Sequence, residues 1–495
     1  MIRAQAPSMM RKNRKHPFRT LFVALVPAIA WAPISTSRVA HAEAPSASAS
    51  TSVSPSSAAS TSPSTAPLVA IESPSKPVIE LTRCLALADA RNPTLRMAAD
   101  RLVQAHAQLD EIKWIPWGQF AVSGGVAAVP EIGGTSVYSA NGDISLSSHM
   151  GPAFQLGVSG ALPLYTFGKI SASQAAGEAL VDVALHDIDK FRLLVHHDVR
   201  RAYFGIQLAR DARYMLKQAG NKLDGAISSL AEGPDADEVE LLRMKTYRAE
   251  ITARLSEADK QERIATASLA FLVGESAGID VPDEPISGPR KPLSDDIVYL
   301  AAARTHRPEL AMVRAGVDLR RHQVELARAK LMPDIGLGLS FGYSTAPIIA
   351  DQTNPFVYDG GNYLRYGAGI VFRWNLDLMA GGARVQFAEA QLQEMKDQET
   401  YALGGVGVEV ESAYATAKDA SAREKSYGEA EHLAKRWVAA ISTAIELGTR
   451  EERELIEPLR AFLTNRFAHL QAIMDLDVAI SSLTVATGDE AFADY

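Results

Sequence analysis

Two short clusters of titratable side chains are the places where this sequence could support chemistry. His196, His197 and Asp198 are consecutive, and His186 precedes His197 by eleven residues, which puts both imidazoles near one helix face, as in a metal-binding pair. Packed or solvated histidines in a coiled coil give the same pattern, and this structural interpretation is favoured. The second cluster, 450-REEREL-455, places acidic groups where a helix begins. There they interact favourably with the positive end of the helix dipole.

The remaining sequence lacks the motifs on which enzymes rely. It contains no nucleophile elbow, no phosphate-binding loop and no carboxylate or histidine motif with catalytic spacing. The sequence therefore predicts a protein that is not an enzyme and that uses no cofactor and no metal site.

The amino-terminal end has the composition of an export signal. Basic residues between Arg11 and Arg19 precede the apolar stretch 20-TLFVALVPAIAWAPI-34, and 40-AHA-42 resembles a signal-peptidase site. Residues 1–42 are therefore predicted to be a signal peptide. Residues 43–76 are dominated by Ser, Ala, Pro and Thr, and they are predicted to be a disordered leader because they bury too little apolar surface to fold.

Charge and cysteine content argue against several other classes of protein. Without the seven basic residues of the predicted signal, 43 Lys and Arg remain against 58 Asp and Glu, a net charge of −15. A nucleic-acid partner is not expected, because phosphate binding requires a concentrated positive surface. Cys84 is the only cysteine, which argues against an internal disulfide, a thiolate metal cluster and an amino-terminal lipid anchor.

The rest of the chain divides into two similar halves, predicted at residues 77–290 and 291–490, with a short tail at 491–495. Each half has the pattern of a helix, two strands, a long helix, a turn and a returning helix. A period this long indicates duplication of half a domain rather than a solenoid. The first long helix is predicted from Lys169 to Leu230, and its apolar residues from Val181 repeat every seven positions, as in a coiled coil.

Strand periodicity changes directly into helix periodicity at two places in the chain. These are 153-AFQLGVSGALPLYTFGKISASQ-174 and 367-GAGIVFRWNLDLMAGGARVQ-386, in which four apolar positions and one glycine match at a spacing of 214. A strand that enters a helix without a loop needs backbone freedom at the junction. The residues predicted to supply it are Pro163 and Gly168 in the first copy and Gly381 and Gly382 in the second.

The predicted strands have one apolar face and one small or polar face. Leu156 and Val158 alternate with Gln155 and Ser159, and apolar residues in 335-IGLGLSFGY-343 alternate with Gly and Ser. This pattern is typical of a membrane β-barrel whose apolar side faces lipid. Four strands are too few to close a barrel, since known membrane barrels begin at about eight strands. A barrel is therefore predicted to require several chains.

With these features the sequence resembles the TolC-type outer membrane efflux proteins over about residues 78–490. The motifs that carry the resemblance are 92-NPTL-95, 307-RPEL-310, 162-LPLYTFGK-169, 378-LMAGGAR-384, 448-GTR-450 and 485-VATG-488. The resemblance implies a homotrimer in which four strands per chain form one 12-stranded membrane β-barrel, continued by a long α-helical coiled-coil tunnel. It also implies an outer membrane location with the tunnel in the periplasm, and docking to a periplasmic adaptor and an inner-membrane pump.

The resemblance further assigns residues at the two hairpin turns. Arg450 matches the family's gating arginine, and Glu454 and Glu457 match an acidic ring that faces the pore. Three copies of these carboxylates around a narrow opening would favour cations. In the first turn, Glu240 lies one residue after the place where the family can carry an acidic partner for the arginine. The turn residues implied to contact the adaptor are Gly233, Gly448 and Thr449.

A periplasmic coiled-coil scaffold or adaptor without a pore is the main alternative. Such a protein would also contain long helical hairpins, but it would lack four two-faced strands in matched pairs. Detergent-dependent behaviour would indicate the channel, and solubility without detergent would indicate the scaffold.

Overall fold

The computed structural model describes residues 77–133, 145–232, 238–275, 278–289, 291–351 and 359–493. The predicted signal peptide and leader and the turn residue Gly233 lie outside the described residues. The helices and strands of the described part are α1 Leu81–Arg91, α2 Pro93–Trp114, β1 Gln119–Gly133, β2 Ser145–Tyr165, α3 Lys169–Glu232, α4 Glu238–Val273, α5 Asp296–His306, α6 Pro308–Ala329, β3 Asp334–Thr345, β4 Tyr363–Arg373, α7 Leu378–Glu446 and α8 Ile456–Thr487. Short 3₁₀ helices span Ile115–Trp117, Glu452–Leu455 and Glu490–Ala493.

The first helix predicted for each repeat is in fact two helices. The break falls at Asn92 in the first repeat and at Arg307 in the second, and a proline follows each of them. Both residues are extended, with ψ of 128° and 118°, because a following proline disfavours the helical region. Proline then occupies the first position of the next helix, where its missing N–H is not needed.

The side chains at these two breaks form hydrogen bonds with the carboxyl ends of the returning helices, α4 and α8. Asn92 Nδ2 donates to the carbonyl of Leu272 near the end of α4, at 2.9 Å. Arg307 Nη1 donates to the carbonyl of Ala486 near the end of α8, at 3.3 Å. Each break therefore satisfies a carbonyl that the end of an α-helix leaves without an intrahelical donor. The contacts give the motifs 92-NPTL-95 and 307-RPEL-310 a structural role.

The long helices pack as pairs along apolar seams. Helices α3 and α7 contain 64 and 69 residues, which corresponds to about 100 Å each. The heptad seam predicted for α3 is buried within the chain only from Val195 onward, and Leu185 is 46% exposed. Among the described residues one helical segment, Arg453–Thr487, is apolar enough to cross a membrane, but 67% of its most apolar window is buried, as in a core helix.

The four strands form one antiparallel sheet in the order β1-β2-β3-β4. Strand β1 pairs with β2, β2 with β3, and β3 with β4, and the pairing of β2 with β3 joins the two repeats. The register shifts between Pro163 and Tyr165, near the end of β2. Strands β1 and β4 lie at opposite edges, so the sheet of one chain is open.

The two strand-to-helix junctions differ from the prediction and from each other. Residues 166–168 connect β2 to α3, and residues 374–377 connect β4 to α7, so short connections are present. Gly168 precedes α3 with φ +87°, a conformation that favours glycine. The residue before α7 is Asp377, with φ −88°, so the second junction needs no such glycine.

Gly381 and Gly382 lie inside the first turn of α7 and do not supply backbone freedom at the junction. The expectation for these two residues was wrong because α7 already begins at Leu378. A Cβ atom at Gly381 would lie 2.3 Å from Leu331 Cδ2, so this glycine permits close packing against Leu331. No described atom lies within 4 Å of the corresponding position at Gly382.

Candidate functional site: a two-faced sheet and a charged hairpin turn

The strand register places apolar side chains on one continuous face of the sheet. Val122 is opposite Val158, which is opposite Phe341, which in turn is opposite Tyr366. Val122 and Tyr366 are 71% and 81% exposed, so nothing in the described chain covers this face. No charged residue lies on it within the described segments 120–128, 152–162, 337–345 and 364–372. The predicted apolar face is therefore present and continuous.

The opposite face carries small and polar residues. In the same register, Ala121 is opposite Ser159, which is opposite Ser340, and Gln155 is opposite Ser344. Small and polar side chains on this side leave space and provide hydrogen-bonding groups for water. This face has the composition of a wet lumen.

Aromatic pairs mark the end of the sheet nearest the helices. Trp114 and Trp117 lie 6.2 Å apart between ring centroids, Tyr165 and Phe167 lie 4.6 Å apart, and Phe372 and Trp374 lie 6.4 Å apart. The indole N–H of Trp374 donates to the carbonyl of Leu331 at 2.9 Å. Aromatic rings with one polar end are typical of a boundary between lipid and water.

An ion pair links the two repeats at the end of the sheet nearest the helices. Lys169 at the start of α3 donates to the Asp334 carboxylate at 2.7 Å and to the carbonyl of Met332 at 2.8 Å. The contact joins the first residue of the first long helix to the first strand of the second repeat. Sequence reasoning did not identify this pair, since its members are 165 residues apart.

At the second hairpin turn, the predicted gating arginine contacts one of the predicted ring carboxylates. Arg450 Nη1 donates to Glu454 Oε2 at 2.5 Å. The arginine beside it lowers the pKa of the Glu454 carboxyl. Glu454 also forms a capping box with Glu451, so its carboxylate helps to start the returning helix. Glu454 thus has a structural role in addition to its predicted place in a ring.

The other predicted ring carboxylate connects the two hairpins. Arg243 on α4 donates to Glu457 on α8 at 3.3 Å, and its guanidinium also lies 3.6 Å from Glu240. Arg243 was not identified from the sequence, in which it is 214 residues from Glu457. Within the described chain the link between hairpins therefore uses Arg243 rather than Arg450.

The backbone of the second turn is closed by Gly448 and Thr449. Gly448 has φ +71°, and its N–H donates to the carbonyl of Ile445 at 2.9 Å. The hydroxyl of Thr449 donates to the carbonyl of Ala444, also at 2.9 Å. These bonds satisfy the last carbonyls of α7 and leave the turn exposed at its end.

The histidine cluster has structural partners. The two ring nitrogens of buried His196 lie against Asp89 on α1, at 3.0 Å, and against Glu490 near the carboxyl end. His197 Nδ1 lies 3.1 Å from the Ser481 hydroxyl on α8. His196 and His197 therefore tie α3 to neighbouring elements rather than forming a metal pair with His186.

Comparison with known proteins agrees with this architecture. Residues 299–489 match the family model described as outer membrane efflux protein. The sequence matches no curated protein. Among solved structures, the Campylobacter jejuni CmeC outer membrane channel superimposes with a TM-score of 0.66 at 17% identity, over 82% of this chain and 85% of that one.

Two further outer membrane proteins show the same fold. The open state of the Neisseria gonorrhoeae MtrE outer membrane channel has a TM-score of 0.67 at 16% identity, over 84% of this chain and 90% of that one. The Vibrio cholerae outer membrane protein VceC has a TM-score of 0.63 at 19% identity, over 83% and 96%. The region matched by the family model lies in the second repeat, and the structural likeness extends over both repeats. The second repeat therefore matches the outer membrane efflux protein family model, and the chain as a whole has the fold of these outer membrane channels.

Proposed function

We propose that this protein is the outer membrane channel of a tripartite efflux or secretion system. It conducts substrates passively across the outer membrane, and an inner-membrane pump selects and drives them. The observation that carries this function is the two-faced sheet, whose apolar side is exposed and without charge in its described segments. Only lipid or an equivalent apolar layer stabilises such a face, because in water it would remain uncovered.

The channel is a homotrimer. One chain supplies four strands and leaves β1 and β4 as open edges, whose unpaired backbone groups are costly inside a membrane. Joining β4 of one copy to β1 of the next removes every edge when three copies close a ring. The ring then has 12 strands, above the minimum of about eight for a membrane barrel.

The long helices extend the barrel as a tunnel through the periplasm. Helices α3 and α7 follow the strands after only three or four residues, so the strand and helix walls are continuous. Their length of about 100 Å carries the hairpin turns far from the sheet. The turns at Gly233 and at Gly448 and Thr449 are where a periplasmic adaptor contacts the channel.

Conductance and assembly state test this function together. The mature protein, purified in detergent, is added to a planar lipid bilayer while its mass in detergent is measured. We expect discrete single-channel openings and a mass of three chains. A soluble monomer without conductance would contradict the channel and would instead indicate a periplasmic scaffold.

The charged turn provides a second test. Replacing Glu454 and Glu457 together with glutamine removes two negative charges per chain and leaves Arg450 and Arg243 at the turn. We expect the reversal potential in a KCl gradient to move toward that of chloride. The control is Glu250→Gln, which removes one negative charge per chain from an ion pair with Arg254 within α4 and should leave the reversal potential unchanged. A reversal potential unchanged by the double substitution would show that the two carboxylates do not face the conduction path.

A further inference from the structure

The connection that follows β3 begins with a run of apolar residues. Residues 346–350 have the sequence Ala-Pro-Ile-Ile-Ala, and they come directly after Thr345, the last residue of β3. Thr345 is opposite Phe154 of β2, toward the end of the sheet remote from the helices. Consecutive apolar residues in a connection between strands indicate a specific role, because water solvates such a run poorly. We call this segment, residues 346–350, the strap.

The strap crosses β2 on the polar face of the sheet. It starts at β3 and reaches β1, where the N–H of Ala350 donates to the carbonyl of Ile132 at 3.0 Å. Because β2 lies between β1 and β3 in the sheet, the strap has to pass over β2. It does so at Gly151, where a Cβ atom would lie 2.7 Å from Ile348 Cδ1. The regular pairing of β2 with β1 places Gly151 on the same face as Gln155, which is the face with the composition of a lumen.

Asn362 binds the strap at the start of β4. Its Oδ1 accepts from the N–H of Ala346 at 2.7 Å, and its Nδ2 donates to the carbonyl of Ile349 at 3.0 Å. The N–H of Asn362 donates to the Asp359 carboxylate at 2.9 Å, which orients the residue. Ile349 also packs against Gly361, where a Cβ atom would lie 3.1 Å from Ile349 Cδ1. One side chain therefore fixes the strap near both of its ends.

We propose that the strap narrows the outer mouth of the barrel and that its release admits bulky polar solutes. Ile348 and Ile349 are half-buried, so part of each apolar side chain remains exposed on the lumen face. In three copies these side chains form an apolar constriction, which resists the passage of water and hydrated solutes. The described hydrogen bonds of the strap are isolated ones rather than a strand ladder, so the strap opens more easily than the sheet beneath it. This inference rests on the proposed channel function.

Labelling of a cysteine placed beyond the strap tests this proposal. Ser159→Cys introduces a thiol on the polar face of β2, between the strap and the helices. The full chain is labelled in intact host cells, in which a bulky maleimide-polyethylene glycol reaches this thiol only through the barrel mouth. The native Cys84 is buried, which raises the pKa of its thiol to about 11 and keeps it unreactive. We expect N-ethylmaleimide to label Ser159→Cys readily and the bulky reagent to label it slowly.

Asn362→Ala removes both hydrogen bonds from this side chain to the strap. In the Ser159→Cys protein we expect it to raise the rate of labelling by the bulky reagent about tenfold, as for the loss of two hydrogen bonds. Labelling by N-ethylmaleimide should not change. The matched control is Ser344→Ala, since the Ser344 hydroxyl donates to the carbonyl of Gly361 at 2.9 Å rather than to the strap. An unchanged rate in Asn362→Ala, or an equal rise in both variants, would overturn the proposal.

His149→Cys distinguishes failure of the strap from failure of the channel. His149 lies in the outer part of β2, and its side chain is 83% exposed. We expect the bulky reagent to label this cysteine rapidly in intact cells while the strap is in place. Equally rapid labelling of His149→Cys and Ser159→Cys would overturn the strap without any change at Asn362. Absence of bulky labelling at His149→Cys would instead overturn the channel function, since the barrel mouth would not face the medium.

Discussion

Replacing Val122 with arginine is expected to prevent most of the protein from inserting into a lipid bilayer. Val122 is 71% exposed and lies in the row that continues through Val158, Phe341 and Tyr366. An arginine facing lipid near the middle of a barrel costs about 2–4 kcal/mol, and a trimer carries the change in every copy. The measurement is the fraction of refolded protein that is recovered in liposomes and protected from added protease.

Ala121→Arg is the control for this substitution. Ala121 precedes Val122 in β1 and lies on the opposite face, where its register partner is Ser159. The same side chain then meets the aqueous lumen, so we expect normal insertion and a reduced single-channel conductance. Insertion of the Val122→Arg protein at the level of the Ala121→Arg protein would show that the apolar face is not covered by lipid.

The two faces of the sheet could be predicted because a strand has a side-chain period of two. Apolar residues such as Leu156 and Val158 alternate with Gln155 and Ser159, so one strand is enough to reveal both faces. The pairing with β3 then brings Val158 next to Phe341 and extends the face over the sheet. The duplicated order of elements was predictable for a related reason, since each copy repeats the same periodicities.

The junctions were less predictable because the two repeats connect strand to helix with different backbone conformations. Matching Gly168 with Gly382 gives a spacing of 214 in the sequence, but the helix starts, Lys169 and Leu378, differ by 209. Glycine is needed before α3, where φ is positive, but not at Asp377 before α7. A sequence match between glycines therefore does not reveal which of them is required by the backbone.

Ion pairs between residues far apart in the chain were the hardest features to predict from the sequence. Arg243 contacts Glu457, and Lys169 contacts Asp334, over separations of 214 and 165 residues. Each partner also has nearer opposite charges in the sequence, so periodicity alone cannot select the pair. The family resemblance implied a ring of carboxylates at the turn, and the structure adds an arginine partner for each of these two carboxylates.

Gly488→Ala is expected to lower the stability of the fold strongly, although it adds only one methyl group. Gly488 follows α8 with φ +76°, and a Cβ atom there would lie 2.6 Å from Arg307 Cα and 2.6 Å from the carbonyl oxygen of His306. The positive φ alone costs about 1–2 kcal/mol for a residue with a side chain. The clash is with backbone, which cannot rotate away, and overpacking of this kind adds about 1–3 kcal/mol. The measurement is the temperature at which the detergent-solubilised assembly loses its helical circular dichroism.

Gly448→Ala separates these two contributions. Gly448 has φ +71°, nearly the same as Gly488, but no described atom lies within 4 Å of its hypothetical Cβ. Its substitution therefore carries the cost of the positive φ without the clash, and we expect a clearly smaller loss of thermal stability. The difference between the two variants measures how tightly the end of α8 is held against the break at Arg307, where the guanidinium also donates to the carbonyl of Ala486. Equal losses would mean that this break moves freely enough to accept a methyl group, and the 307-RPEL-310 motif would then not fix the end of the returning helix.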